Sequence, residues 1–224
     1  MKRILAIAAL AVGLIAGGGY LLTQQPSGPQ VAGADIVLPG AVNAQEASAG
    51  GDAVVQEMVL GNPDAPVEII EYASYTCPHC ATFHKGSYKQ LKSDYIDTGK
   101  VKFVYREVYF DRYGLWASLV ARCEPTKFFG ITDIIYAEQG VWARAGSDAA
   151  VADALRRIGR RAGMDADSLE ACLTDGALAR ALVEWFQANS ERDGVRSTPS
   201  FVIDGALHSN MSYSEMASLI DSAM

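Results

Sequence analysis

Cys77 and Cys80 are the residues of this chain whose type and spacing are best suited to chemistry. They lie in Cys77-Pro78-His79-Cys80, behind a short β-branched and aromatic run (67–74) and ahead of a segment with helical spacing. The thiolate is the reactive form of cysteine, and a helix N-terminus supplies free N–H groups and the positive end of the dipole to stabilise it. Cys77 is therefore expected to be acidic. The imidazole of His79 adds a hydrogen-bond donor or a positive charge near the sulfur. Pro78 suits the first helical turn, where its missing N–H costs nothing.

Two other uses of such a pair are weak here. A zinc centre needs two further Cys or His ligands at motif spacing, but Cys123 and Cys172 stand alone and the histidines are His79, His84 and His208. No metal is expected. A purely structural bridge from Cys77 to Cys80 would close a tiny loop and gain little stability. The remaining reading is a redox-active pair.

Around that pair, Glu71 stands six residues before Cys77. It is either an exposed strand carboxylate or, if the strand phase turns it inward, an acid beneath the pair that accepts the proton of Cys80. His84, one helical turn beyond Cys80, is read as a surface residue. Thr198-Pro199 opens a late strand, an ordinary place for proline. Cys123 and Cys172 fall in predicted helices, and in an exported protein they read as a structural disulfide, with buried or separately reactive thiols as the alternative.

Export is what the N-terminus predicts. Met1-Lys2-Arg3 precedes the apolar run 4–22, and no charge appears between Arg3 and Asp35. A basic start before an apolar run is an export signal, and this run is long enough to cross most of a bilayer. Segment 1–22 is thus a cleaved signal peptide or an uncleaved anchor, and in both cases the cysteines end up outside the cytoplasm. Segment 23–53 is rich in Gly, Ala, Gln and Pro without apolar period and reads as a flexible linker. The net charge of −7 disfavours nucleic acid as a partner.

These features must be positioned by one folded domain, 54–224. The residues 54–61 and 67–74 read as strands, 77–98 as a helix stopped by Gly99, and 101–108 as an inner strand. A helical block follows over about 113–192, with Ser147 as an N-cap and Gly163 as a stop. A hairpin turning at Asp204-Gly205 and a helix opened by the Ser212-Glu215 capping box complete the chain. The order is β, β, α, β, helical block, β, β, α.

With "EYASYTCPHC", that element order and a Thr-Pro before the last hairpin, the chain resembles the DsbA family of thiol:disulfide oxidoreductases over 54–224. The resemblance implies an α/β thioredoxin fold with an inserted all-helical subdomain. It makes Cys77 the exposed nucleophile, Cys80 the buried resolving cysteine, Pro199 a cis-proline beside the pair with Thr198 ahead of it, and Glu71 the family's upstream acid. It further implies a periplasmic monomer without cofactor, reduced client proteins as substrates, and a quinone-linked membrane reoxidase of DsbB type. Two features depart from the best-known oxidase. Threonine before the cis-proline is more typical of isomerases and reductases, and the Cys123/Cys172 pair is extra, although other DsbA-like proteins have an additional disulfide. An isomerase or reductase is accordingly the alternative function, and a tethered chaperone-like binding module a further one.

Overall fold

The computed structural model describes residues 53–224, so segment 1–22 and nearly all of 23–53 lie outside the described residues. Five strands form one mixed sheet in the order β1-β3-β2-β4-β5: β1 Met58–Gly61, β2 Val67–Ala73, β3 Val101–Glu107, β4 Ser200–Ile203 and β5 Ala206–Ser209. β2 and β3 are parallel, and every other pairing is antiparallel. The parallel pair needs a crossover, which α1 Pro78–Lys85 and α2 Ser87–Leu91 supply. The architecture is the thioredoxin fold with a helical insertion.

That insertion contains α3 Arg112–Arg122, α4 Phe128–Ala137, α5 Gln139–Trp142, α6 Asp148–Arg161, α7 Ala166–Leu173 and α8 Gly176–Arg192. Asp111, Ser147, Asp165 and Asp175 cap four of these helices through side-chain oxygens. Such caps satisfy N–H groups that a helix start leaves unpaired. α6 and α7 approach closely at Gly159, where an added Cβ would stand 2.7 Å from a Leu169 methyl. The chain then returns through β4 and β5, turned by Asp204 (φ 45°) and Gly205 (φ 80°), to α9 Tyr213–Ala223, whose start carries the Ser212–Glu215 capping box.

Two boundaries differ from those predicted. The first strand is confined to Met58–Gly61, because the preceding Gln56 and Glu57 are held by arginines instead of a ladder. The helix over 77–98 breaks at Gly86 (φ −125°, ψ −93°), and its last turn, Lys92–Ile96, is a wide π turn.

Strand alternation divides the core. Val67, Ile69 and Ala73 of β2 join Phe103, Tyr105 and Phe201 in the main core with α1, α4 and α9, whereas Ile70 and Tyr72 face the opposite side with Val104 and Val202. Glu71 has the odd phase and pairs in register with Tyr105 and Phe201, so its carboxylate enters the main apolar core. A second buried acid, Glu107, is held by the Arg122 guanidinium through two bonds of 2.6 Å, a bidentate geometry that compensates both charges.

Cys123, at the end of α3, is bonded to Cys172 in α7, 49 residues away. Closing a loop of that size removes about 4 kcal/mol of unfolded-chain entropy in the loop-closure account. The double variant Cys123→Ser/Cys172→Ser should therefore lose up to about 4 kcal/mol in denaturant unfolding; an unchanged midpoint would show that the bridge contributes nothing to stability.

Candidate active site

The site begins where β2 ends. Ser74 O accepts the Cys77 N–H at 3.1 Å in a tight turn, and Cys77 becomes the N-cap of α1 with extended backbone (φ −78°, ψ 120°). Pro78 is the first residue of the helix, as its fixed φ and missing N–H favour. Both cysteines are free thiols, Cys80 fully buried and Cys77 with 9 % of its surface exposed.

Their electrostatics differ sharply. The Cys77 thiol is lowered to about 5, first by the hydrogen bond from Cys80, against the opposing cost of burial, and then by the Thr198 hydroxyl and the backbone N–H groups of Cys80 and His79. Cys80 is driven far upward by burial, by its hydrogen bond to Cys77 and by the negative charge of Glu71. The helix start and the buried neighbour thus divide the pair into an ionised sulfur and a protonated one. His79 is exposed, and it acts on Cys77 through its N–H; its imidazole makes no hydrogen bond among the described residues.

Opposite the cysteines lies the loop before β4. The Thr198–Pro199 peptide bond is cis. As a thiol, Cys77 donates to Thr198 O at 3.4 Å. Thr198 Oγ1 is buried and has no partner among the described residues in that state, and it lies where it favours the charge once the sulfur ionises.

Two residues of the site are not identified by the sequence. His84 is a correction: it is not on the surface but 3 % exposed, because a position four residues past buried Cys80 shares the inward face of α1. Its Nε2 meets both oxygens of Glu71, at 3.2 and 2.9 Å, and its ring stacks on Tyr136 at 4.2 Å. The i, i+4 spacing from Cys80 is the signal that reveals it. Gln139 carries no local signal at all. From α5 its Nε2 donates to Tyr75 O and Cys77 O, each at 2.8 Å, linking the helical insertion to the turn that presents the reactive sulfur. Cys123 and Cys172 lie within the insertion, outside this constellation. Among the described residues no three His, Cys, Asp or Glu side chains are grouped to hold a metal ion.

A protein-family model described as Thioredoxin matches residues 53–222. A Rickettsia bellii protein with the provisional name protein-disulfide oxidoreductase is 33 % identical over 170 residues, which cover 75 % of this chain and 64 % of that relative. The chain thus spans just under two thirds of that relative's length. Among solved structures, Wolbachia pipientis alpha-DsbA1 is similar with a TM-score of 0.70 and 25 % identity, over 76 % of this chain and 92 % of that one. A protein-disulfide isomerase from Novosphingobium aromaticivorans is similar with a TM-score of 0.62 and 28 % identity, over 73 % and 97 %.

The thiol electrostatics give a direct test. Thiolate absorbance should titrate with a midpoint of about 5 in the dithiol protein. Cys80→Ala should raise that midpoint more than Thr198→Val, in the order of their contributions. Because the folded thiol ionises below the ordinary value of 9.0, the folded dithiol protein binds fewer protons than its unfolded chain between the two values. Its stability relative to the disulfide form should consequently rise with pH across that window and lose this contribution as pH falls through about 5. A difference that stays flat with pH in urea unfolding refutes the assignment.

Proposed function

We propose, because this chain belongs to the DsbA-like branch of the thioredoxin superfamily, that it is a thiol:disulfide oxidoreductase that introduces disulfides into exported proteins through Cys77–Cys80. The observation that carries this reading is the asymmetry of the pair, an acidic Cys77 beside a buried, protonated Cys80.

The reaction follows from that asymmetry. In the oxidised protein a client thiolate attacks Cys77 Sγ; the Cys77–Cys80 bond breaks, and its electron pair leaves on Cys80, which takes up a proton. A second client thiolate then attacks the client sulfur of the mixed disulfide, and Cys77 leaves as a thiolate. Two electrons pass from the client to the pair. A stabilised Cys77 thiolate is a good leaving group and favours the reduced form, so the disulfide is oxidising. The N–H groups at the start of α1, the His79 N–H among them, hold the charge, Pro78 starts the helix, Thr198 and Pro199 receive the client backbone, and Glu71 exchanges the proton of Cys80.

The periplasm is the compartment this chemistry fits, with reduced proteins as clients and a quinone-linked membrane protein of DsbB type as reoxidant; the basic-then-apolar start of the chain supports export. Among the described residues no helix is long and apolar enough to cross a membrane. A monomer suffices, since the whole pair and its partners come from one chain. The isomerase or reductase reading retains support from Thr198 ahead of Pro199 and from the similarity to a named protein-disulfide isomerase.

Two measurements decide. Cys77→Ala should abolish oxidation of a fluorescent dithiol peptide; a variant that retains the protein's cellular role would establish a binding module instead. Equilibration with glutathione should place the pair on the oxidising side of that couple, whereas a reducing potential together with efficient repair of a scrambled multi-disulfide client would establish the isomerase.

A further inference from the structure

Glu71 is a fully buried carboxylate, and among the described residues no lysine or arginine pairs with it. Its one hydrogen-bond partner among the described residues is His84 Nε2. The titratable groups facing His84 are Cys80 one turn back on α1, Glu71 from β2, Tyr88 from α2, Tyr105 from β3, and Tyr136 and Asp133 from α4. Tyr105 and Tyr136 are hydrogen-bonded to each other at 2.7 Å and offer the imidazole only their rings.

The second ring nitrogen decides what His84 can be. Nδ1 is buried and has no hydrogen-bond partner among the described residues. An imidazolium would place a charged N–H there without an acceptor, which costs more than leaving a neutral lone pair bare. The remaining form is neutral imidazole with its proton on Nε2, donating to Glu71. A neutral donor orients a carboxylate without cancelling its charge, whereas a fixed cation would hold it ionised and weaken it as a base.

We propose that His84 is a positioning residue for the Cys80 half of the exchange, a neutral Nε2–H donor that fixes Glu71 beneath Cys80 and leaves it basic. This rests on the reading of Glu71 as proton acceptor. With a small thiol linked to Cys77, the Cys80 thiol passes its proton to the Glu71 carboxylate, and its sulfur attacks Cys77 Sγ. The Cys77–Cys80 bond forms, and the small thiol leaves with the electron pair as a thiolate. In the reverse direction the Glu71 carboxyl returns the proton to departing Cys80. His84 keeps its own proton throughout.

Mixing the reduced full chain with oxidised glutathione separates the steps, since a first phase reports attack by Cys77 and a second reports release of glutathione by Cys80. Glu71→Gln should slow the second phase by roughly 10²-fold, and His84→Leu by at least about tenfold, within the contribution expected of a positioned proton acceptor. His84→Gln, which keeps a neutral N–H donor, should restore the wild-type rate and pH profile, and the first phase should be unchanged in all three. Imidazole nitrogen NMR of the wild-type chain gives a check independent of any variant: it should report His84 as the Nε2–H tautomer with a bare Nδ1, in dithiol and disulfide forms alike. A proton on His84 Nδ1 overturns the inference, as does a His84→Leu second phase identical to wild type when Glu71→Gln is slow. A Glu71→Gln variant as fast as wild type removes the Glu71 reading itself, and the inference with it.

Discussion

Everything in the site depends on an acidic sulfur at the N-cap of a helix. Cys77 caps α1 with its backbone extended, so the N–H groups of His79 and Cys80 remain free to face its Sγ. The rest of the fold serves that arrangement. β2 delivers the chain to the turn at Ser74, the parallel crossover gives the helix its place over the sheet, and the loop before β4 brings Thr198 against the sulfur. Gln139 holds the turn from the other side. The sulfur is thus faced by the Cys80 thiol, Thr198 and the N–H groups of the helix start, with 9 % of the residue's surface exposed.

Beneath it the structure accommodates a carboxylate in an apolar layer. Burial of Glu71 follows from strand phase, since its neighbours Ile69 and Ala73 on the same face are core residues. Such a charge is costly without a partner. The partner comes from the helix that carries Cys80: His84 bonds Glu71 from the buried face of α1 that Cys80 shares, and the Glu71 charge reaches the Cys80 thiol. Glu107 shows the other solution to the same problem. It is compensated by the two-pronged Arg122, a bidentate ion pair that ties α3 to β3.

The parts of the molecule legible in the sequence are those with local signals. The two cysteines, the proline between them, the Ser147 cap and the Ser212–Glu215 box lie within a few residues of the features they control. Periodicity yields the element order and, with the family resemblance, the fold. Less legible are features set by packing across long separations. Gln139 reaches Cys77 over 62 positions, and no pattern in the chain announces that contact. The break at Gly86 depends on how α1 and α2 settle on the sheet. His84 lies between these cases: its spacing from Cys80 is local, but reading it requires knowing that Cys80 faces inward.

The two arginines on and beside β3 have a mechanical meaning. Arg122 grips the carbonyl of Gln56 and Arg106 forks onto the carboxylate of Glu57, both ahead of the first ladder. Arg106 belongs to β3, and Arg122 is anchored to β3 through Glu107. A pull on the backbone at Ala53 therefore meets side-chain contacts at Gln56 and Glu57 before it meets the β1 ladder. Two guanidinium clamps ahead of the first rung tie that stretch of chain to the strand next to the centre of the sheet.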